Sequence, residues 1–134
     1  MSNIANIEGV GSGYASKLES AGLKTVEALL ERGASPAGRQ QIAASAGVSP
    51  KLVLRWVNHA DLFRLKGVAG EMAELLEAAG VDSVPELATR RADNLREKME
   101  SVNETRKLVR QVPSSQQVQG WIDQAKHLPR VVQY

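Results

Sequence analysis

A chain of 134 residues, 43% hydrophobic and 24% charged, has room for one ordinary core or two small ones and not for two large domains. It contains no cysteine, which excludes disulfides and every cysteine-based metal site or nucleophile, and a net charge of +2 is too small to select a partner by itself. The opening "MSNIANIEG" has no basic region followed by an apolar run, and no stretch of about 18 apolar residues occurs, so a cytoplasmic protein without a membrane span is expected.

The aromatic residues are few: Tyr14, Trp56, Phe63, Trp121 and Tyr134. The interior must therefore be aliphatic and alanine-rich, which suits closely packed helices. In chain order, Tyr14, Ala15, Leu18 and Ala21 make one apolar helical face, and Gly22 stands where a left-handed C-cap belongs. Thr25 can cap a short helix burying Val26, Leu29 and Leu30. Ser35-Pro36 and Ser49-Pro50 each place a capping hydroxyl before a proline at the first helical position, where the missing N–H costs nothing. Gly47 closes the helix between them, and a longer helix runs from about Lys51 to Leu62 with Leu52, Val53, Trp56, Val57 and Ala60 inward.

Further on, Ser83 and Glu86 have capping-box spacing, and Asp93 or Asn94 opens a long helix carrying Leu95, Met99, Val102 and Val109. Val112-Pro113-Ser114 breaks the chain before a helix that carries Trp121. No stretch alternates with period two for long enough to be a strand, and the closing "RVVQY" has no periodicity that sets its conformation.

The elements repeat. At a spacing of 58, Gly9 pairs with Gly67, Val10 with Val68, Leu18 with Leu76, Gly22 with Gly80, Thr25 with Ser83 and Leu29 with Leu87. At a spacing of 65, Ser49 pairs with Ser114, Trp56 with Trp121 and Ala60 with Ala125. The expected architecture is all-α, about eight helices in two tandem four-helix units, residues 1–64 and 65–134, related by internal duplication.

Short helices joined through Gly-hydrophobic-Gly expose the free N–H groups of the second helix, because glycine allows backbone angles a side chain forbids. "IEGVGSGYASKLESAG" resembles the helix-hairpin-helix motif shared by DNA repair proteins and by the N-terminal domains of archaeal-type recombinases, whose units are SAM-like. The whole chain, with "LVRQVPSSQQVQGWIDQAKHLPR" near its end, resembles the uncharacterised bacterial domain-of-unknown-function family 4332, built of tandem hairpins. In helix-hairpin-helix domains the hairpin amides hold a DNA phosphate oxygen beside a Lys or Arg. Carried over by position, the resemblance implicates Gly9, Gly11, Ser12, Gly13 and Lys17 in the first copy, and Lys66, Gly67, Ala69 and Gly70 in the second. The proline common after the second glycine is Ser12 here, and Ala69 replaces that glycine in the second copy.

Glu71, Glu74 and Glu77 follow the second hairpin and would repel a phosphate approaching its amides, so that copy reads as structural or as a protein contact. Other cations cluster at Arg90, Arg91, Arg96 and Lys98, and again at Arg106, Lys107 and Arg110 on the long helix. There Arg106 and Arg110 would share a face able to follow a nucleic-acid backbone, with Glu97, Glu100 and Glu104 interleaved. The competing reading of that stripe is a solvated face of mixed charge.

Nothing converges as a catalytic site. His59 and His127 have no metal-ligand spacing, and "GVGSG" lacks the Lys-Ser/Thr of a nucleotide cradle. Lys17, Lys24 and Lys51 show no sign of the desolvation that activates an amine, and Trp56 and Trp121 lie in apolar faces that indicate core and not base stacking. The expectation is a non-enzymatic module without cofactor or metal that binds DNA backbone without sequence preference. The alternative is a protein-interaction adaptor or self-associating scaffold, and the oligomeric state is open.

Overall fold

A computed structural model describes residues 3–7 and 9–134. Among these residues the chain is all-α, a single 3-10 turn at Ile4–Asn6 followed by eight helices with no named strand. The helices are α1 (Gly11–Ser20), α2 (Val26–Arg32), α3 (Pro36–Ala46), α4 (Pro50–Leu62), α5 (Gly70–Ala78), α6 (Val84–Ala88), α7 (Ala92–Arg106) and α8 (Ser115–His127). No helix among the described residues is long and apolar enough to cross a membrane.

Local chemistry sets most of these boundaries. The Thr25 hydroxyl accepts from the Ala28 amide at 3.1 Å, Ser35 from Gly38 at 3.1 Å, Ser49 from Leu52 at 3.2 Å and Ser83 from Glu86 at 3.3 Å. Each bond satisfies one of the amide donors that the first helical turn leaves without a partner. The box expected at Ser83 is only half made, because the Glu86 carboxylate turns instead to Arg90 at 3.1 Å. The reciprocal pair forms at α8, where Ser114 accepts from the Gln117 amide and the Gln117 side chain accepts from the Ser114 amide. Helix α7 begins at Ala92, slightly before the expected start.

One correction concerns its far end. Val109 and Arg110 were expected on α7, yet the helix stops at Arg106 because Lys107 turns left-handed, at φ 50° and ψ 49°. The Asn103 side chain then holds the departing chain from both sides, donating to the Val109 carbonyl at 2.9 Å and accepting from its amide at 3.0 Å. These two bonds offset the cost of a non-glycine residue in that region.

The chain divides into two compact units, Met1–Asp61 with Val131–Tyr134, and Leu62–Arg130. In the first, Ile4, Leu18, Leu29, Ile42, Val53 and Trp56 are buried. Tyr14 was expected on the inward face with them. It lies instead at the rim, 38% exposed, its ring tilted against Trp56 at a centroid separation of 5.1 Å. The closing segment completes this unit through Arg39 of α3, whose side chain is buried and donates to the carbonyls of Gly33, Ala34 and Gln133. In the second unit α8 packs against α6 and α7, around Leu75, Leu76, Leu87, Met99, Trp121 and Ile122.

Candidate nucleic-acid interface

The turn before α1 is shaped by two glycines. Gly9 has φ 88° and Gly11 φ 59°, angles that side chains rarely adopt, and between them Val10 points into the core at 2% exposure. Val10 is also the residue that precedes the helix, and its side chain can cap nothing. The amides of Gly11, Ser12 and Gly13 therefore begin α1 with no side-chain cap among the described residues, on a surface where Gly9, Gly11, Ser12 and Gly13 are all exposed. A Cβ built on any of those three glycines would meet no atom within 4 Å, so a ligand can approach the backbone directly.

Lys17 stands one helical turn after Gly13. Its ammonium lies 5.8 Å from the centre of the Tyr14 ring and makes no ion pair among the described residues. Gly9, Val10, Gly13, Tyr14 and Lys17 together line a surface depression of about 450 Å³. A helix start without a side-chain cap and a cation without a carboxylate partner, both among the described residues, favour a bound anion.

The turn before α5 is built differently. Gly67 has φ 89° and Val68 is buried, as in the first turn, but Ala69 is extended at φ −122° and needs no glycine. This backbone is also occupied: the Lys66 carbonyl accepts from the Trp121 indole at 2.9 Å, and the Lys66 amide donates to the Gln124 side chain at 3.0 Å. A Cβ at Gly67 would sit 3.4 Å from the same indole nitrogen. Gly70, expected to offer its amide to a phosphate, is buried instead. Glu71 remains exposed beside it. Trp121→Phe should cost the second unit about 1 kcal/mol through the lost hydrogen bond and speed hydrogen exchange at the Lys66 amide. Unaltered exchange in the variant would mean that the indole does not hold this turn.

A family model described as Domain of unknown function (DUF4332) matches residues 8–128. The chain belongs to the DUF4332 family. Neither a curated protein nor a solved structure matches it.

In this DUF4332 protein the basic residues late in the chain are dispersed. Arg106 ends α7 and lies 3.7 Å from the Glu74 carboxylate of α5. Arg110 lies beyond the left-handed Lys107, so the expected face shared by Arg106 and Arg110 does not exist. Lys107 and Arg110 instead border a depression of about 570 Å³ together with Glu71 and Asn103. Lys66 is exposed, but its backbone is engaged by α8. Trp56 and Trp121 are both buried, and the latter spends its N–H on the turn. His59 is buried, while exposed His127 contacts the Asp123 carbonyl through Nδ1 at 2.8 Å. No group of three metal-ligating side chains occurs among the described residues.

Proposed function

We propose that this DUF4332 protein is a non-enzymatic, cytoplasmic helix-hairpin-helix module that binds the phosphates of DNA without reading base sequence. The amides of Gly11, Ser12 and Gly13 hold one phosphate oxygen, and Lys17 supplies the charge. The observation behind this reading is the start of α1 over exposed glycines, open and without a side-chain cap among the described residues. Its counterpart at Gly67 keeps the left-handed glycine and the buried valine but gives its backbone to Trp121 and Gln124, so of the two turns only the first offers its amides.

Fluorescence anisotropy with a labelled duplex at two salt concentrations tests the proposal. Contacts to backbone phosphates give an affinity that falls steeply with salt, with a slope of roughly 0.9 per phosphate neutralised. Lys17→Glu should weaken binding at least tenfold and remove about one unit of that slope. If neither duplex nor single strand binds at low salt, or if Lys17→Glu binds as the wild type does, the reading is wrong.

A second reading is favoured by the exposed Glu71 beside the turn at Gly67. A carboxylate beside Lys107 and Arg110 makes a surface of mixed charge over a closed turn, which suits a protein adaptor better than a polyanion. Light scattering after size exclusion would show self-association if that reading holds.

A further inference from the structure

The second unit has a groove of about 560 Å³ that runs between the turn joining α6 to α7 and one face of α8. Arg90, Arg91, Asp93, Ser115, Gln119 and Lys126 line it. Three cations thus face one carboxylate, and that carboxylate is a weak partner: Asp93 lies 3.9 Å from Arg91, with both side chains at least 70% exposed. Lys126 is exposed and forms no ion pair among the described residues.

Arg90 plays another part. Its Nε is held by Glu86 at 3.1 Å and its Nη2 by the Gly80 carbonyl at 2.9 Å, so it is a pinned wall of the groove. Lys98 stands beside it, since a Cβ on Gly80 would meet Arg90 Nη2 at 3.0 Å and Lys98 Nζ at 4.0 Å. Arg91 and Lys126 are left as the two cations able to adjust to a ligand.

The length of α8 that lines the groove selects the kind of anion. Ser115 and Lys126 are eleven positions apart on α8, about 16 Å along a helix. A single phosphate cannot bridge that distance. A nucleic-acid strand, at about 3.4 Å of axis per phosphate, places four or five phosphates along it. No aromatic side chain lines the groove, so it has no platform on which a base could stack.

We propose that this groove is a second contact site for a sugar-phosphate backbone, with Arg91 and Lys126 gripping separate phosphates of one strand. The inference rests on the reading of the protein as a nucleic-acid binder and places that activity in the second unit as well as the first. It also accounts for a second copy whose glycine turn is closed: its phosphate contacts lie on α8 and the α6–α7 turn.

Anisotropy titrations of the full chain with a labelled duplex and a labelled single strand, each at two salt concentrations, test the groove. Three variants are compared: Arg91→Glu/Lys126→Glu, Lys17→Glu, and Lys24→Glu/Lys51→Glu as a control with the same change in net charge. The groove variant should lose at least tenfold in affinity and about two units of salt slope, while the control loses little. All three groups of side chains are exposed, and circular dichroism melting checks that the variants fold. Equal losses in the groove variant and the control overturn the groove. So does a groove variant that binds normally while Lys17→Glu does not, and in that case the reading of the first turn survives. Loss in the groove variant alone upholds the groove and removes the first turn. A wild type that binds neither probe removes both. The probe bound more tightly identifies the source of the backbone as duplex or single strand.

Discussion

Replacing Arg39 by alanine is expected to destabilise the first unit by about 3 kcal/mol, a large fraction of the stability of a unit this small. Arg39 is 6% exposed and has no carboxylate partner among the described residues. Its charge is met by carbonyl oxygens, those of Gly33 at 2.8 Å, Ala34 at 3.1 Å and Gln133 at 2.7 Å. The first of these bonds is fully buried, and losing its donor should cost about 2 kcal/mol; the other two are partly buried, where water can replace the donor for about 0.5 kcal/mol each. Arg39→Lys keeps a charge but cannot fork toward carbonyls on both sides, so it should recover little.

The same substitution should release the closing segment, which is held to the first unit through Arg39, through the Gln133 amide on the Ala34 carbonyl at 2.7 Å, and through the Tyr134 hydroxyl on Asn58 at 2.8 Å. Tyr134 also lies under the guanidinium, 5.9 Å from its centre. In a Trp121→Phe background, Trp56 alone reports the first unit, and a denaturant titration of its fluorescence gives the loss directly. Hydrogen exchange at Gln133 reports the segment. A midpoint shifted by less than the equivalent of about 1 kcal/mol, or protection at Gln133 that survives, would show that the buried guanidinium does not organise this region.

None of this was visible in the sequence, and the contrast with what was visible has a physical basis. Thr25, Ser35, Ser49, Ser83 and Ser114 announce helix starts because a cap is satisfied within three residues of itself. The all-α class and the buried tryptophans follow from apolar periodicity, which is equally local. Arg39 sits at an ordinary polar position in α3, and one of its partners belongs to a segment 94 positions away that returns to it. Lys107 is similar: no composition rule marks a lysine for the left-handed region, and the cause lies in an Asn103 side chain that reaches six residues ahead. The first turn was legible at Gly9 and Gly11, whose left-handed angles call for glycine. The candidate site was illegible at Gly70, whose burial is set by tertiary packing, and at Lys126, which joins Arg91 through packing of α8 against α7.

Gly38→Ala separates two effects that predict opposite signs. By helix propensity alone, alanine inside α3 should stabilise by about 1 kcal/mol relative to glycine. The surroundings forbid it: a Cβ at Gly38 would fall on the carbonyl oxygen of Arg32 at the end of α2, and would stand 3.3 Å from the Ser35 hydroxyl that caps α3. Backbone cannot rotate out of the way as a side chain does, so the first turn of α3 must move, and a shift of this kind costs about 3 kcal/mol. The net expectation is a loss of about 2 kcal/mol. Gly120→Ala, in the middle of α8 with no atom within 4 Å of its Cβ, meets no such obstacle and should gain up to about 1 kcal/mol. Because the displaced turn also carries Arg39 away from the Gly33 and Ala34 carbonyls, Gly38→Ala and Arg39→Ala should combine to less than their separate losses. Additive losses would show that α3 docks through the two residues independently, and a stabilised Gly38→Ala would show that its first turn is not held against α2 at all.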